Sequence, residues 1–124
     1  MAETKNKNYA FTMTDENTIS VCFSVEDEKP LSVGDKINEI CEAAYMNGYN
    51  WEVFFLYYLS KFAPDILEGM ISDPESGSYA AYYDLTDENE NKAKRFVEII
   101  ISLVENEEEL YHIIRENGNK IEWD

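Results

Sequence analysis

The order of secondary structure is clearest in residues 78–104, where the sequence is SYAAYYDLTDENENKAKRFVEIIISLV. Its opening residues alternate, so Tyr79 and Tyr83 share one face of a strand and Tyr82 lies on the opposite face. Polar residues then interrupt the pattern, with a capping box formed by Asp87 and the glutamate at position 90. The apolar residues beyond have helical spacing, which predicts a helix with this inward stripe: Ala93, Phe96, Val97, Ile100, Ile101 and Val104.

Two hairpins are predicted upstream of this helix. Residues 73–77, Asp-Pro-Glu-Ser-Gly, have turn residues in turn positions, and they join a short strand at residues 70–72 to the strand described above. The other hairpin lies near the N-terminus, where two alternating runs flank the polar residues 15–17. The first run contains Tyr9, Phe11 and Met13, and the second contains Ile19, Val21, Phe23 and Val25.

Helices are predicted between and after the hairpins. After a break at residues 26–30, Ser32 and Asp35 indicate the start of a first helix, with the stripe Val33, Ile37, Ile40, Cys41 and Ala44. Asn50 is predicted to cap a central second helix that ends before Pro64, with the stripe Trp51, Phe54, Phe55, Tyr58, Leu59 and Phe62. Pro64 is predicted to start a short turn. Asn106 and Glu109 indicate a last helix, with inward Leu110, Ile113 and Ile114, followed by a tail that packs through Ile121 and Trp123.

These elements predict an α+β protein with one core. With 124 residues, of which 44% are hydrophobic, the chain is long enough for a single domain over residues 1–124. We expect an antiparallel sheet built from the two hairpins, with about four helices packed on one face. Residues 1–8 are polar and are expected to form a flexible N-terminal segment.

Charge restricts the partners. Twenty-six acidic and ten basic residues give a net charge of −16, so nucleic acid and anionic membranes are not expected to bind directly. A basic protein is the natural partner, although the same charge also keeps a chain soluble. The chain has neither an apolar signal segment nor an apolar run that could cross a membrane, and we expect a cytoplasmic protein that is a monomer when free.

Catalytic and metal-binding motifs are not found in the sequence. Phosphate-loop, dinucleotide-binding, serine-hydrolase and zinc-protease patterns are absent, and the single His112 has no nearby cysteine or second histidine. Cys22 and Cys41 are expected to be reduced thiols. A calcium-loop pattern begins at Asp87, but Lys92 occupies the position that requires glycine. We therefore expect no catalytic residue, no metal and no cofactor.

Several motifs in the second half of the chain resemble one family. They are Asn47-Gly48-Tyr49-Asn50-Trp51-Glu52, Leu67, Ile71, Asp73-Pro74-Glu75-Ser76-Gly77, Tyr79-x-Ala81-Tyr82 and a helix of the kind at residues 96–104. In order and separation they are similar to the immunity 51 family of bacterial polymorphic-toxin systems, over roughly residues 47–111. The resemblance implies a non-enzymatic antidote that binds a toxin domain and blocks its active site or an essential surface.

We therefore expect an immunity protein that neutralises a cognate toxin by covering a basic surface with its own acidic surface. Tyrosines beside carboxylates are typical of protein interfaces, and the partner-binding residues are predicted to be Tyr49, Asp73, Glu75, Tyr82 and Asp84. One alternative is an acidic DNA mimic that inhibits a DNA-binding protein, which requires a regular double row of carboxylates. Another is a small carboxylate-dependent hydrolase or transferase, which requires a deep pocket with two convergent carboxylates.

Overall fold

The computed structural model describes residues 9–124, so the expectation for residues 1–8 lies outside the described part of the chain. Within that part there are four strands: β1 (Ala10–Thr14), β2 (Thr18–Ser24), β3 (Ile71–Ser72) and β4 (Ser78–Asp84). The α-helices are α1 (Glu28–Ile40), α2 (Gly48–Phe62), α3 (Pro64–Leu67), α4 (Asp87–Glu105) and α5 (Glu107–Asn117), and a 3-10 turn follows at Gly118–Lys120.

The strands form one antiparallel sheet in the order β1-β2-β4-β3. The two predicted hairpins are therefore present, and the pairing of β2 with β4 joins them. Ile19 lies opposite Tyr83 and Phe23 lies opposite Tyr79, and all four side chains are buried under the helices. Side chains alternate along a strand, so the residues between these four point to the opposite face, which the described helices do not cover. The predicted α+β class, with helices on one face of a two-hairpin sheet, is confirmed.

Strand β1 places its large residues on the opposite face from the helices. Its register sets Ala10 opposite Phe23 and Phe11 opposite Cys22, so the small Ala10 faces the core and Phe11 does not. Met13 shares the face of Phe11 and is 58% exposed. Tyr9 precedes the strand, and its ring packs against Phe23 at 6.3 Å. The alternation predicted the strand correctly, but it did not predict which face the helices cover.

Helix α2 supplies the centre of the core. Trp51, Phe54, Phe55 and Leu59 are fully buried or nearly so, and the ring of Phe55 lies 5.4 Å from that of Phe96 in α4. These contacts confirm the bulky inward stripe through Leu59, except that Tyr58 is only partly buried against the core. Its last member was predicted wrongly: Phe62 is 65% exposed, and its ring contacts only the neighbouring Tyr58 ring at 4.8 Å among the aromatic pairs of the described residues.

The starts of the first two helices differ from the prediction. Helix α1 begins at Glu28, and Pro30 lies in its first turn, where a missing backbone N–H costs little because the first N–H groups of a helix have no partner within it. Helix α2 is capped by Asn47, whose side-chain oxygen accepts a hydrogen bond from the backbone N–H of Asn50 at 3.0 Å. Asn50 is instead buried, and its side chain bridges the Tyr45 carbonyl and the backbone N–H of Asp124.

The structure confirms that the predicted stripes of the last two helices face the core. Every predicted member of the α4 stripe is buried, as are Leu110 and Ile114 of α5 and Ile121 of the tail, whereas Ile113 and Trp123 are partly buried against the core. Their caps differ from the prediction: Thr86 caps α4 through its hydroxyl, and the Asn106 side-chain amide bonds back to Ser102 in the last turn of α4. Helices α4 and α2 contact the sheet, whereas α1 and α5 pack on α4 and on each other.

Candidate partner-binding surface

The turn at residues 73–77 is fixed at one end of the sheet by the start of α2. The Gly48 N–H donates to the Ser76 carbonyl at 3.0 Å, and the Val25 N–H donates to the Gly77 carbonyl at 3.2 Å. The contact at Gly48 is close: a Cβ atom there would lie 1.8 Å from the Glu75 carbonyl oxygen. A rigid turn between β3 and β4 therefore presents its side chains at a defined position.

Three predicted binding residues lie at this end of the sheet. Asp73 and Glu75 are exposed in the turn, and Tyr49, the residue after Gly48, is 40% exposed at the start of α2. The Glu26 carboxylate also approaches the turn, since it is the nearest group to a Cβ placed on Gly77. The result is a rigid anionic edge beside an exposed tyrosine. Trp51, from the same sequence motif, is fully buried and so belongs to the core.

The other two predicted residues lie elsewhere on β4. Tyr82 is half-buried on the face that the helices leave uncovered, between Ser20 of β2 and Ile71 of β3. Asp84 pairs with Thr18 at the opposite end of the strand from Ser78, a distance of about 20 Å at the usual rise per residue. The five residues therefore extend from the start of α2 and the β3–β4 turn to the far end of β4, and they do not form a single cluster.

The uncovered face of the sheet is apolar at its centre, a feature that sequence reasoning missed. Cross-strand register brings together six apolar side chains on this face, around Ser20 of β2, and we call the face, which no described helix covers, the open sheet face: Phe11, Met13, Cys22, Ile71, Ala80 and Tyr82. Met13 and Ile71 are 58% and 54% exposed. The alternation of Phe11 with Met13 was the available signal. It identifies a common face, but only the pairing with β2 shows that this face points away from the helices.

Other carboxylates are occupied in contacts between elements. Glu105 accepts a hydrogen bond from the Tyr9 hydroxyl at 2.5 Å, and Glu107 pairs with Lys29 across α5 and α1. The hydrogen bond from Lys29 holds the pKa of Glu107 below its usual value. Burial, with the charge of Glu107, raises the pKa of Tyr111 to about 12. The acidic start of α5 thus has a structural role in joining helices.

Several titratable groups near the core have pKa values that are shifted by burial. Burial raises the pKa of Tyr79 and Tyr83, whose hydroxyls bond to the Ser72 hydroxyl and the Ile66 carbonyl. Burial also raises the pKa of Glu52, next to Ser72. The segment from Asp87 is helical rather than a calcium loop. Within residues 9–124, no group of three or more His, Cys, Asp or Glu side chains could hold a metal ion.

Fold and surface together define the class: a small α+β protein with a rigid anionic sheet end and an apolar, uncovered sheet face. The family model described as Immunity protein 51 matches residues 11–119, which is most of the chain. The chain therefore belongs to the Immunity protein 51 family. It is an immunity protein, and membership of the family implies that it binds a cognate toxin and suggests that it inhibits without catalysis.

No curated protein and no solved structure is significantly similar to the chain. Among the described residues, no helix is both long enough and apolar enough to cross a membrane. Cys22 and Cys41 are free and partly buried.

Proposed function

We propose that this immunity protein neutralises its toxin by charge-complementary binding of a basic toxin surface. The observation that carries the proposal is the charge of the sheet. Residues 9–27 and 70–86, which contain all four described strands and their turns, include seven carboxylates and no Lys or Arg. A surface of one sign attracts a partner of the opposite sign over about a Debye length, which speeds association and excludes wrong partners.

The predicted residues have distinct roles in this proposal. Asp73 and Glu75 supply charge from a turn that Gly48 and Val25 hold in place, so little order is lost when a partner binds. Tyr49 offers ring surface and a hydroxyl beside them. Tyr82 and Asp84 extend the contact along β4. A standard interface takes about 800 Å² from each partner, which is a modest part of the surface of this chain.

Localisation and oligomeric state are further parts of the proposed function. We propose that the chain acts in the cytoplasm as a single domain and as a monomer when free. A net charge of −16 opposes self-association, because like surfaces repel each other at short range.

The DNA-mimic alternative requires carboxylates in a regular double row. On the described sheet the carboxylates lie in two groups, in turns and at strand ends, and the two ends of β4 are about 20 Å apart at the usual strand rise. Apolar side chains lie between the two groups. This arrangement favours binding of a protein with an apolar centre and a basic rim. It does not imitate the continuous phosphates of a duplex.

The test begins with the toxin domain encoded beside the gene for this chain. Cells that express that domain should grow when the immunity protein is present and stop growing when it is absent. In stopped-flow binding to the same domain, D73K/E75K should slow association roughly tenfold at low salt and flatten its salt dependence. The control E98K/E116K makes the same change of charge at exposed sites on α4 and α5. An association rate equal to that of the control would exclude this patch.

A further inference from the structure

The open sheet face has a composition that is costly for an isolated protein. An antiparallel sheet with one face in water is normally apolar inside and polar outside. Here Met13 and Ile71, on the two outer strands, are more than half exposed. Ser20 and Tyr82 lie between them in one cross-strand row, and Phe11, Cys22 and Ala80 form the row beside it. Exposed apolar side chains that adjoin one another mark a surface that another molecule covers.

Charges at the ends of the strands limit what that molecule can be. Asp15 and Glu16 in the β1–β2 turn lie at the same end as Asp84, since the Leu85 N–H bonds to the Asn17 carbonyl. Asp73 and Glu75 lie toward the other end. Natural sheets often carry lysine on exposed strands, where its charge prevents unwanted contacts. Residues 9–27 and 70–86 contain no lysine or arginine. The face is therefore an apolar centre between two anionic ends, which complements an apolar patch bordered by lysine or arginine.

A second copy of the chain is a poor occupant for the same reason. Pairing two open sheet faces with aligned strands would bring the anionic ends of one copy near those of the other, whether the strands run parallel or antiparallel. Like charges held close together across an interface oppose association. The charge pattern favours a cationic protein over self-association.

We propose that the open sheet face is the apolar centre of the toxin interface, and that a cationic surface of the toxin covers it. This inference rests on the proposed function and adds the place where the toxin is held. The carboxylates at the strand ends govern mainly the rate of association. The apolar centre governs mainly the rate of dissociation, because its burial is complete only in the docked complex.

The test places a positive charge at the centre of the face. Met13 is 58% exposed, and Phe62, at the far end of α2, is 65% exposed, so M13R and F62R make the same change of charge at apolar sites of similar exposure. Binding of the toxin domain encoded beside this gene is followed by surface plasmon resonance. M13R should raise Kd by about tenfold or more, mainly through faster dissociation, whereas F62R should change Kd by less than about twofold.

A second variant and a salt series complete the experiment. Y82A removes a half-buried ring without adding charge and should also speed dissociation. At high salt the defects of M13R and Y82A should persist, whereas that of D73K/E75K should fade because it is electrostatic. Equal effects of M13R and F62R, or a larger effect of F62R, would overturn the proposal while leaving toxin binding intact. Failure of the wild-type chain to bind and to protect would overturn the proposed function, and this inference with it.

Discussion

At the scale of single residues, Gly48 determines how α2 meets the β3–β4 turn. Its N–H donates a hydrogen bond to the Ser76 carbonyl. Because it has no side chain, the Glu75 carbonyl oxygen can approach the start of the helix closely. The obstacle to a side chain here is main-chain atoms, which cannot rotate away as a side chain does. The junction positions Tyr49 and Glu75, so one glycine affects both the fold and the proposed binding edge.

G48A is therefore expected to destabilise the protein by about 2 kcal/mol or more, because a Cβ 1.8 Å from the Glu75 oxygen forces the turn away from the helix. G77A is the matched control. There a Cβ would meet the Glu26 carboxylate at 2.9 Å, the far end of a flexible exposed side chain, so a loss below about 1 kcal/mol is expected. Urea unfolding measures both. Equal midpoints for G48A and wild type would contradict the close approach.

At the scale of elements, α2 joins the sheet to the other helices. The Phe55 ring lies 5.2 Å from Tyr79 in β4 and 5.4 Å from Phe96 in α4, and the Trp51 ring lies 5.0 Å from Phe23 in β2. Burial of these rings contributes roughly 2 kcal/mol or more each. Helix α2 therefore joins the inner face of the sheet to α4, and the open sheet face lies on the opposite side of the same strands.

Two phenylalanines of α2 should respond very differently to truncation. Phe54 is fully buried, so F54A is expected to lose about 3 to 5 kcal/mol of unfolding free energy, from lost burial and the cavity that remains. Phe62 is 65% exposed and touches Tyr58 at a ring distance of 4.8 Å. F62A should lose less than about 1 kcal/mol. Chemical denaturation of both variants is the measurement, and similar losses would contradict the position of Phe62.

At the scale of the whole molecule, excess negative charge works against folding. With a net charge of −16, compaction brings carboxylates closer together than they are in the unfolded chain. Pairs such as Arg95–Asp65 and Lys94–Glu90 offset part of this repulsion, but exposed pairs contribute little each. The same charge that favours a basic partner thus lowers the stability of the free protein.

Salt should therefore stabilise the free protein. Raising NaCl from about 0.01 to 0.1 M shortens the Debye length from about 30 to 10 Å. We expect Tm to rise by about 4 °C, which corresponds to roughly 1 kcal/mol for a domain of this size. Differential scanning calorimetry measures the change. Near pH 4.2, the isoelectric point of the sequence, the net charge vanishes and so should the rise. A Tm that falls with salt at pH 7 would show that ion pairs outweigh repulsion.

The sequence alone determined the class and order of elements, because side-chain periodicity is a local property of the chain. Alternation at Tyr79, Tyr82 and Tyr83 was sufficient to place them on opposite faces of β4, and helical spacing from Ala93 to Val104 identified the α4 stripe. The Asn47 to Tyr82 motifs also led to the correct family. Helix starts were less accurate, since several nearby residues can each cap a helix.

Tertiary structure alone decided which surfaces remain exposed. Alternation in β1 divides the strand into two faces, but only pairing with Phe23 and Cys22 assigns Ala10 to the core and Phe11 to the open face. Likewise, only the contact between Gly48 and the turn brings Tyr49 beside Asp73 and Glu75. These outcomes depend on residues far apart in the chain, and the free energy of burying one face rather than the other depends on what packs against it.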